Sequence, residues 1–520
     1  MATSRSHAPD RSYGSTAAAL RGGRPAPAGR APLFPARKRL FMASLLFAFL
    51  FSPANWEGAA GCALLLLLFN TLILPWLDLD ATQPPGPLLN QGGGILANHG
   101  GGVILYPLSV LALILLYPYH LHVAAAAWAI MALGDGMATV IGKAARRFSL
   151  PENVQQGEPE PASRREVAAT FPGRIAAATW RPKVAATLPW NRQKTWVGSI
   201  SLAVAGTAGA YLLIRWIAPE IPAYKTLMVC AAAALLGAVV EGLPLALDDN
   251  ITVPLAVGAF MFCAFFMERS ALESNLPYLG RRMFLALAVN LGFALLAYAF
   301  KAASASGAIC GFLLGTAIYL GYGYKSFLLL FAFVLLGSAA TRLGLDKKAA
   351  RGVAERRGGA RSWREASANL TAAAFFATLV ITTHHEAAFL LAMVAALAEA
   401  TGDTVSSEIG QWVSSRAYLI TTFRRVPAGE DGGVSLAGTA AGFAASALIV
   451  GLGVGLKLCG PYRFAGPAIA FAAAALGNLF DSVLGATLER RGLVTNGMVN
   501  FAGTSVAGGL ALGLALRWGL

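Results

Sequence analysis

The sequence is short of charge. Only 13% of its 520 residues are Asp, Glu, Lys or Arg, while 56% are hydrophobic. Soluble domains carry about 25% charged residues, so a water-exposed surface for a chain of this size is excluded. Cysteine is scarce as well. Cys62, Cys230, Cys263, Cys310 and Cys459 stand singly in or beside apolar segments, which excludes a disulfide framework or a cysteine zinc site. The six histidines include His120 and His122 beside an apolar run and His384 and His385 in a short loop. None has partners at metal-ligand spacing. A Walker A loop is missing too: the Gly142–Lys143 pair is followed by Ala144, not Ser or Thr.

Long apolar runs are plentiful. Each is read as a span of the ~30 Å hydrocarbon layer. The first group covers 40–53, 58–78, 102–118, 122–142, 197–217, 225–247 and 251–267. The second covers 283–300, 305–321, 326–342, 367–382, 387–410, 433–456, 462–487 and 499–517. The expected fold is an all-α polytopic integral membrane protein with roughly 15 transmembrane helices. The bilayer is therefore its first partner.

The net charge of +15 comes from loops. Lys and Arg crowd 1–39, 143–194, 342–364 and 416–425. Alternating the spans puts all four segments on one side, the cytoplasmic side by the positive-inside rule. Nucleic acid is not needed to explain the charge. The expected division is a basic disordered tail (1–39), a membrane unit (40–268), a linker (269–282) and a second membrane unit (283–520). The linker's Arg269, Arg281 and Arg282 fall on the opposite side from the other basic segments. "GGGILANHGGG" (92–102) reads as a flexible loop, a candidate lid, and "GLGVG" (451–455) as a helix-packing face.

Three blocks recur in order. "LGDGMATVIGK" (133–143) matches "TGDTVSSEIGQ" (401–411), aligning Asp135 with Asp403 and Gly142 with Gly410. Each is followed by a basic loop and a small-residue helix, in "NRQKTWVGSISLAVAGTAG" and "FRRVPAGEDGGVSLAGTAAG". Then Glu241 stands four after Gly237 as Asp481 stands four after Gly477, and Asn250 precedes Val253–Pro254 as Asn496 precedes Val499–Asn500, at the same separation. The pattern predicts a duplicated helical unit, the two copies being parallel because both basic loops fall on one side.

Ionisable residues inside membrane helices are functional candidates by default. Each copy has a helix-end aspartate (Asp135; Asp403), a second acid (Glu241; Asp481), a cationic loop (Arg192 and Lys194; Arg424 and Arg425) and a polar cluster (Asp248, Asp249 and Asn250; Asn496 and Asn500). Carboxylates and amide oxygens suit Mg²⁺; Lys and Arg suit phosphate. Together they predict a nucleotide-phosphate site and phosphoryl transfer. Glu241 and Asp481 are the candidate general bases.

"DGMATVIGK", "LPWNRQKTWVGS" and "VVEGLPLALDDNITVPLA", within 90–265, resemble the phytol kinases and, more loosely, the dolichol kinases and CDP-diacylglycerol synthases. The resemblance implies a membrane kinase for a prenyl alcohol, using CTP and Mg²⁺. It makes Asp135, with Asp248, a metal ligand. Lys194, Thr195 and Gly198 would hold nucleotide phosphates, and Glu241, Asp249 and Asn250 would complete the site. Two departures stand out: Ala144–Ala145 replace a further glycine, and the 148–187 loop is long. From about 283 to 520, "RRGGARSWREASAN", "AEATGDTVSSEIG", "LITTFRRVPAGEDGGVSLAGTAAG", "GNLFDSVLGATLE" and "NGMVNF" resemble the membrane family that includes plant phytyl-phosphate kinases. That implies conversion of a prenyl monophosphate to the diphosphate, with Glu399, Asp403, Glu408, Arg424, Asp481 and Asn500 at the site. A fusion of the two would make a long-chain isoprenoid alcohol, such as phytol or geranylgeraniol, into its monophosphate and then its diphosphate. A cytidylyltransferase for a lipid phosphate and a transporter are the alternative readings.

Overall fold

Small residues decide how closely these helices cross. The computed structural model describes residues 56–73, 102–148, 187–354, 359–460 and 464–519. The predicted tail (1–39), the span 40–53, the candidate lid except Gly102, and nearly all of the 148–187 loop lie outside these residues. The first described group holds α1 (Trp56–Leu68), α2 (Gly102–Leu116), α3 (Leu121–Ala129), α4 (Gly136–Phe148), α5 (Trp196–Ile217), α6 (Ala223–Gly242) and α7 (Asp249–Ala264). A π-helical segment, Ile130–Asp135, joins α3 to α4 in one continuous rod. The second group holds α8 (Arg269–Ala299), α9 (Ala305–Tyr322), α10 (Tyr324–Arg342), the short α11 (Leu345–Ala350), α12 (Trp363–Val380), α13 (Glu386–Val413), α14 (Leu436–Gly455), α15 (Ala465–Leu484) and α16 (Asn496–Arg517).

Among the described residues, ten helices are long and apolar enough to cross a membrane. Trp56–Leu72, Ile104–Leu116 and Asp249–Ala264 are apolar but shorter. α12 is not among the ten; its first turns carry Arg364, Glu365, Ser367 and Asn369. Of the fifteen expected spans, ten reach membrane length among the described residues, and the span 40–53 lies outside them. The linker expected at 269–282 is instead the start of the 31-residue α8. Its charges and Pro277 imitate a break. Arg269 pairs with Glu273 one turn on, and the Arg281 Nε donates to the Pro277 carbonyl at 3.2 Å. Pro277 itself withholds an amide from the Glu273 carbonyl one turn before it, a loss that membrane helices tolerate.

The two groups share a plan. Thr195 caps α5 by accepting the Gly198 amide at 3.1 Å, and Ser435 caps α14 by accepting the Gly438 amide at 3.1 Å. Each capping hydroxyl is crossed by the preceding rod at a glycine. A Cβ on Gly142 would stand 3.2 Å from Thr195 Oγ1, and one on Gly410 would stand 2.9 Å from Ser435 Oγ. The rod α3–α4 packs on α5 and α7, as α13 packs on α14 and α16. α2 contacts α3 and α7, as α12 contacts α13 and α16.

A short antiparallel ribbon leads into each capped helix. β1 (Thr187–Leu188) pairs with β2 (Asn191–Thr195). β3 (Arg416–Leu419) lies between β4 (Arg425–Pro427) and β5 (Gly433–Val434). Six successive helices of the bundle, α7, α8, α9, α10, α12 and α13, lead from the start of α7 to the end of α13; with alternating direction, both ribbons emerge at the same end of the bundle. One apolar core spans α1 to α7, and a second spans mainly α9 to α16. They meet at the end of α7, where Phe266 packs on Phe389 and the Glu268 amide donates to the Thr382 carbonyl at 2.7 Å.

Candidate active sites

At the ribbon end of α6 and α7, the first group gathers Asp135, Glu241 and Asp249. One carboxylate oxygen from each lies within 4.8 Å of the others. It is the one cluster of three such ligands among the described residues. The continuous rod brings Asp135, the last turn of α6 brings Glu241, and the first residue of α7 brings Asp249. Lys194, the residue before the α5 cap, bridges two of them: its Nζ is 2.6 Å from Glu241 Oε1 and 2.9 Å from Asp249 Oδ2. Burial disfavours the ammonium, but Glu241 and Asp249 outweigh it, and Lys194 is held above its ordinary value. Thr139 donates to Asp135 Oδ1 at 3.5 Å.

The other predicted residues stand around this cluster in different settings. Asp248, expected at a metal, is the α7 cap: its Oδ1 accepts from the Asn250 amide at 2.9 Å and from Asn250 Nδ2 at 2.6 Å. That pairing turns Asp248 and Asn250 toward each other. Asp249, expected with the nucleotide, joins the carboxylate cluster instead. Thr195 and Gly198 form the helix cap, just behind Lys194. Trp190 and Asn191 each donate to the Gly242 carbonyl, tying the β1–β2 turn to the end of α6. Sequence reasoning did not single them out.

The second group forms a cavity of about 230 Å³ whose lining includes Arg361, Asp403, Asp431, Asp481, Asn496 and Asn500. Arg361 lies over the Phe333 ring, and its guanidinium would sit 2.9 Å from a Cβ on Gly337. It supplies the positive charge facing Asp403. Arg424 and Arg425, expected to bind phosphate here, do not line the cavity; they are exposed on the ribbon. Glu408, expected as a metal ligand, lines the cavity but is engaged by the buried Lys348 at 2.6 Å. Lys348 also donates to the Ala340 and Thr341 carbonyls, at 3.2 and 2.7 Å. Burial pushes the Asp431 carboxyl up, helped by Glu430 and opposed by Arg490. Arg361 and Asn369 stand inside the motif "RRGGARSWREASAN", yet neither was carried over as a site residue.

In and beside the lining of this cavity are buried oxygen atoms without a hydrogen-bond partner among the described residues. Glu399 is 1% exposed, one turn before Asp403 on α13. Neither of its carboxylate oxygens has a hydrogen-bond partner among the described residues, and nor do Asp481 Oδ2 and Asn500 Oδ1. The glycines of α15 and α16 make room for them. A Cβ on Gly503 would be 2.5 Å from Glu399 Oε1 and 3.3 Å from Asp481 Oδ2. Buried polar groups without partners are costly. Oxygen donors in this state match a hard cation, so Glu399, Asp481 and Asn500 fit a metal ion that Asp403 alone does not define. In the first group the fit rests on charge: three carboxylates less one ammonium leave a deficit that a divalent ion matches.

Apolar spans, capped helix ends and carboxylates gathered at one end of the bundle define a polytopic membrane protein with intramembrane polar sites. Residues 288–510 match the family of integral membrane protein DUF92. The chain is 34% identical over 227 residues to an uncharacterized membrane protein of Methanocaldococcus jannaschii, covering 44% of this chain and 92% of that protein. It belongs to this integral membrane family. It is also 38% identical over 190 residues to protein VTE6, chloroplastic, of Arabidopsis thaliana, spanning 36% of this chain and only 56% of that protein. A probable phytol kinase 2 of Glycine max is 34% identical over 91 residues, 16% of this chain and 31% of that protein. No solved structure matches the chain.

Proposed function

We propose that this protein is an isoprenoid-lipid phosphotransferase. One site phosphorylates a prenyl alcohol of the phytol or geranylgeraniol type; the other extends the monophosphate to the diphosphate. The donor is a nucleoside triphosphate, CTP by the resemblance, with Mg²⁺. The observation that carries the reading is the Asp135–Glu241–Asp249 cluster bridged by Lys194. Similarity to a relative named phytol kinase supports the substrate class.

In the first site Asp135 and Asp249 would hold the metal ion, which when bound neutralises phosphate charge and polarises the transferred group. Lys194 is placed to leave its carboxylates for phosphate oxygens as the nucleotide enters. Glu241, once released by Lys194, is the acceptor for the alcohol proton. In the second site the nucleophile is a phosphate oxygen that needs no deprotonation. Glu399, Asp481 and Asn500 would hold the metal ion there, and Arg361 faces the phosphate charge. Both sites open at the same end of the bundle, so a prenyl tail stays in the bilayer through both steps. Removing it would cost ~0.8 kcal/mol per CH₂.

The test is a reconstituted assay with γ-labelled CTP, Mg²⁺ and phytol or geranylgeraniol. The expected products are labelled prenyl monophosphate and diphosphate, with CDP released. Cytidylyl transfer would release pyrophosphate instead. Absence of both prenyl products across several nucleotides and prenols sinks the reading. A finer prediction concerns Gly503→Ala, whose added methyl pushes on Glu399 and Asp481. Diphosphate formation from supplied monophosphate should fall on the order of 10–100-fold, with alcohol phosphorylation retained.

A further inference from the structure

The ribbon arginines are left over once the second cavity is described. Arg416, Arg424 and Arg425 are all exposed, and among the described residues none makes an ion pair. Between Arg416 and Pro427 the sequence RAYLITTFRRVP contains no acid. The nearest, Glu430, is held by Arg490 at 3.1 Å. On β3, Ala417 and Leu419 face inward and are buried, while Arg416 and Tyr418 face outward. Arg425 pairs across from Tyr418 and lies over its ring. At the turn Phe423 is 79% exposed and held at φ 55°, a left-handed conformation that a bulky residue adopts only under constraint. Its amide donates to the Leu419 carbonyl at 2.8 Å. The turn thus presents an exposed aromatic ring beside three guanidinium groups that have no acidic partner among the described residues.

The height of this surface is set by its neighbours. It follows the membrane-length helix Glu386–Val413 and precedes the helix Leu436–Gly455, so it lies at the bilayer–water boundary. The first ribbon also places an exposed aromatic at this level, Trp190, 54% exposed and packed edge-on against Trp196. Exposed aromatics at this level are membrane-interface residues, and guanidinium groups pair with phosphate in two-pronged fashion.

We propose that the outer face of the β3–β4 ribbon is a binding site for the phosphate headgroup of an anionic bilayer lipid, gripped by Arg416, Arg424 and Arg425 with Phe423 inserted among the acyl chains. The assignment removes these arginines from nucleotide binding. It does not depend on the kinase reading, since it rests only on the ribbon and its place at the membrane surface.

The test uses the full chain in nanodiscs of phosphatidylglycerol and phosphatidylcholine, followed by native mass spectrometry of the lipids retained after release. The wild-type protein should retain phosphatidylglycerol in preference to phosphatidylcholine. Replacing Arg416, Arg424 and Arg425 with Gln should lower that preference roughly fivefold for each arginine removed. Phe423→Ser should lower total lipid retention at the site while keeping the preference for the anionic headgroup. Undiminished preference in the triple variant would overturn the proposal. So would release of the bound lipid by inorganic phosphate or by CTP at millimolar level, because the arginines would then be a free-phosphate or nucleotide site. Where the triple variant fails to elute as a single species, Arg425→Gln alone supplies the comparison, with a fivefold loss expected and no loss overturning it.

Discussion

Asp135→Asn is expected to reduce formation of prenyl monophosphate from the alcohol by about 10²–10³-fold, the rate equivalent of several kcal/mol of metal-assisted charge stabilisation. Diphosphate formation from supplied monophosphate should be unchanged. The substitution keeps the size of the side chain and the oxygen near Thr139, which donates to Asp135 Oδ1 at 3.5 Å. It removes one of three negative charges whose ligand atoms lie within 4.8 Å. Lys194 then neutralises half of what remains, and a divalent cation loses its electrostatic match. Asp403→Asn is the reciprocal case, expected to accumulate monophosphate. Product analysis by chromatography separates the two outcomes. Equal loss of both steps in either variant would refute independent sites.

Lys348→Met is expected to destabilise the protein by ~3–5 kcal/mol. Lys348 is 0% exposed, and its three ammonium protons are matched by Ala340 O, Thr341 O and Glu408 Oε2. Removing the ammonium leaves the Glu408 carboxylate, 5% exposed, without a counter-charge. The double variant Lys348→Met/Glu408→Leu should recover most of the loss, because apolar groups of similar volume need no compensating charge. Thermal unfolding in detergent measures both. If the single variant were as stable as the wild type, the pair would contribute nothing to holding α11 against α13. The second-site cavity wall, which includes Thr341 and Glu408, should loosen in the single variant alone.

These residues mark what is legible in one dimension. The Gly-Asp pairs at Asp135 and Asp403 and the acids Glu241 and Asp481 are local patterns. They rest on small residues and apolar spacing within a few turns of one helix, whereas the caps at Thr195 and Ser435 emerged only with the structure. Adjacent residues were harder. Asp248 and Asp249 are chemically the same in sequence, but Asp248 takes the extended cap conformation while Asp249 begins the helix; only the second meets Glu241 and Lys194. Lys347 and Lys348 are likewise neighbours, one exposed and one buried. Arg424 and Arg425 looked like the cations of the second site because basic loops follow the aspartate in both copies. The ribbon register turns them outward, and Arg361, from before α12, takes the place beside Asp403. The charges and proline of 269–282 concealed a helix for a similar reason: i,i+4 pairing and carbonyl capping by Arg281 are decided only once the backbone is helical.

By itself, then, the sequence determined the membrane class, the order of the repeated helices and the acids that each repeat contributes. Hydrophobic length and small-residue spacing act through the chain's nearest few residues, so they can be read there. The tertiary structure alone decided which acid of a pair faces the cluster, which lysine is buried and which arginines reach the cavity. Those outcomes depend on helix phase and on the close crossings at Gly142, Gly410 and Gly503, where a single added carbon would move a neighbouring helix or carboxylate.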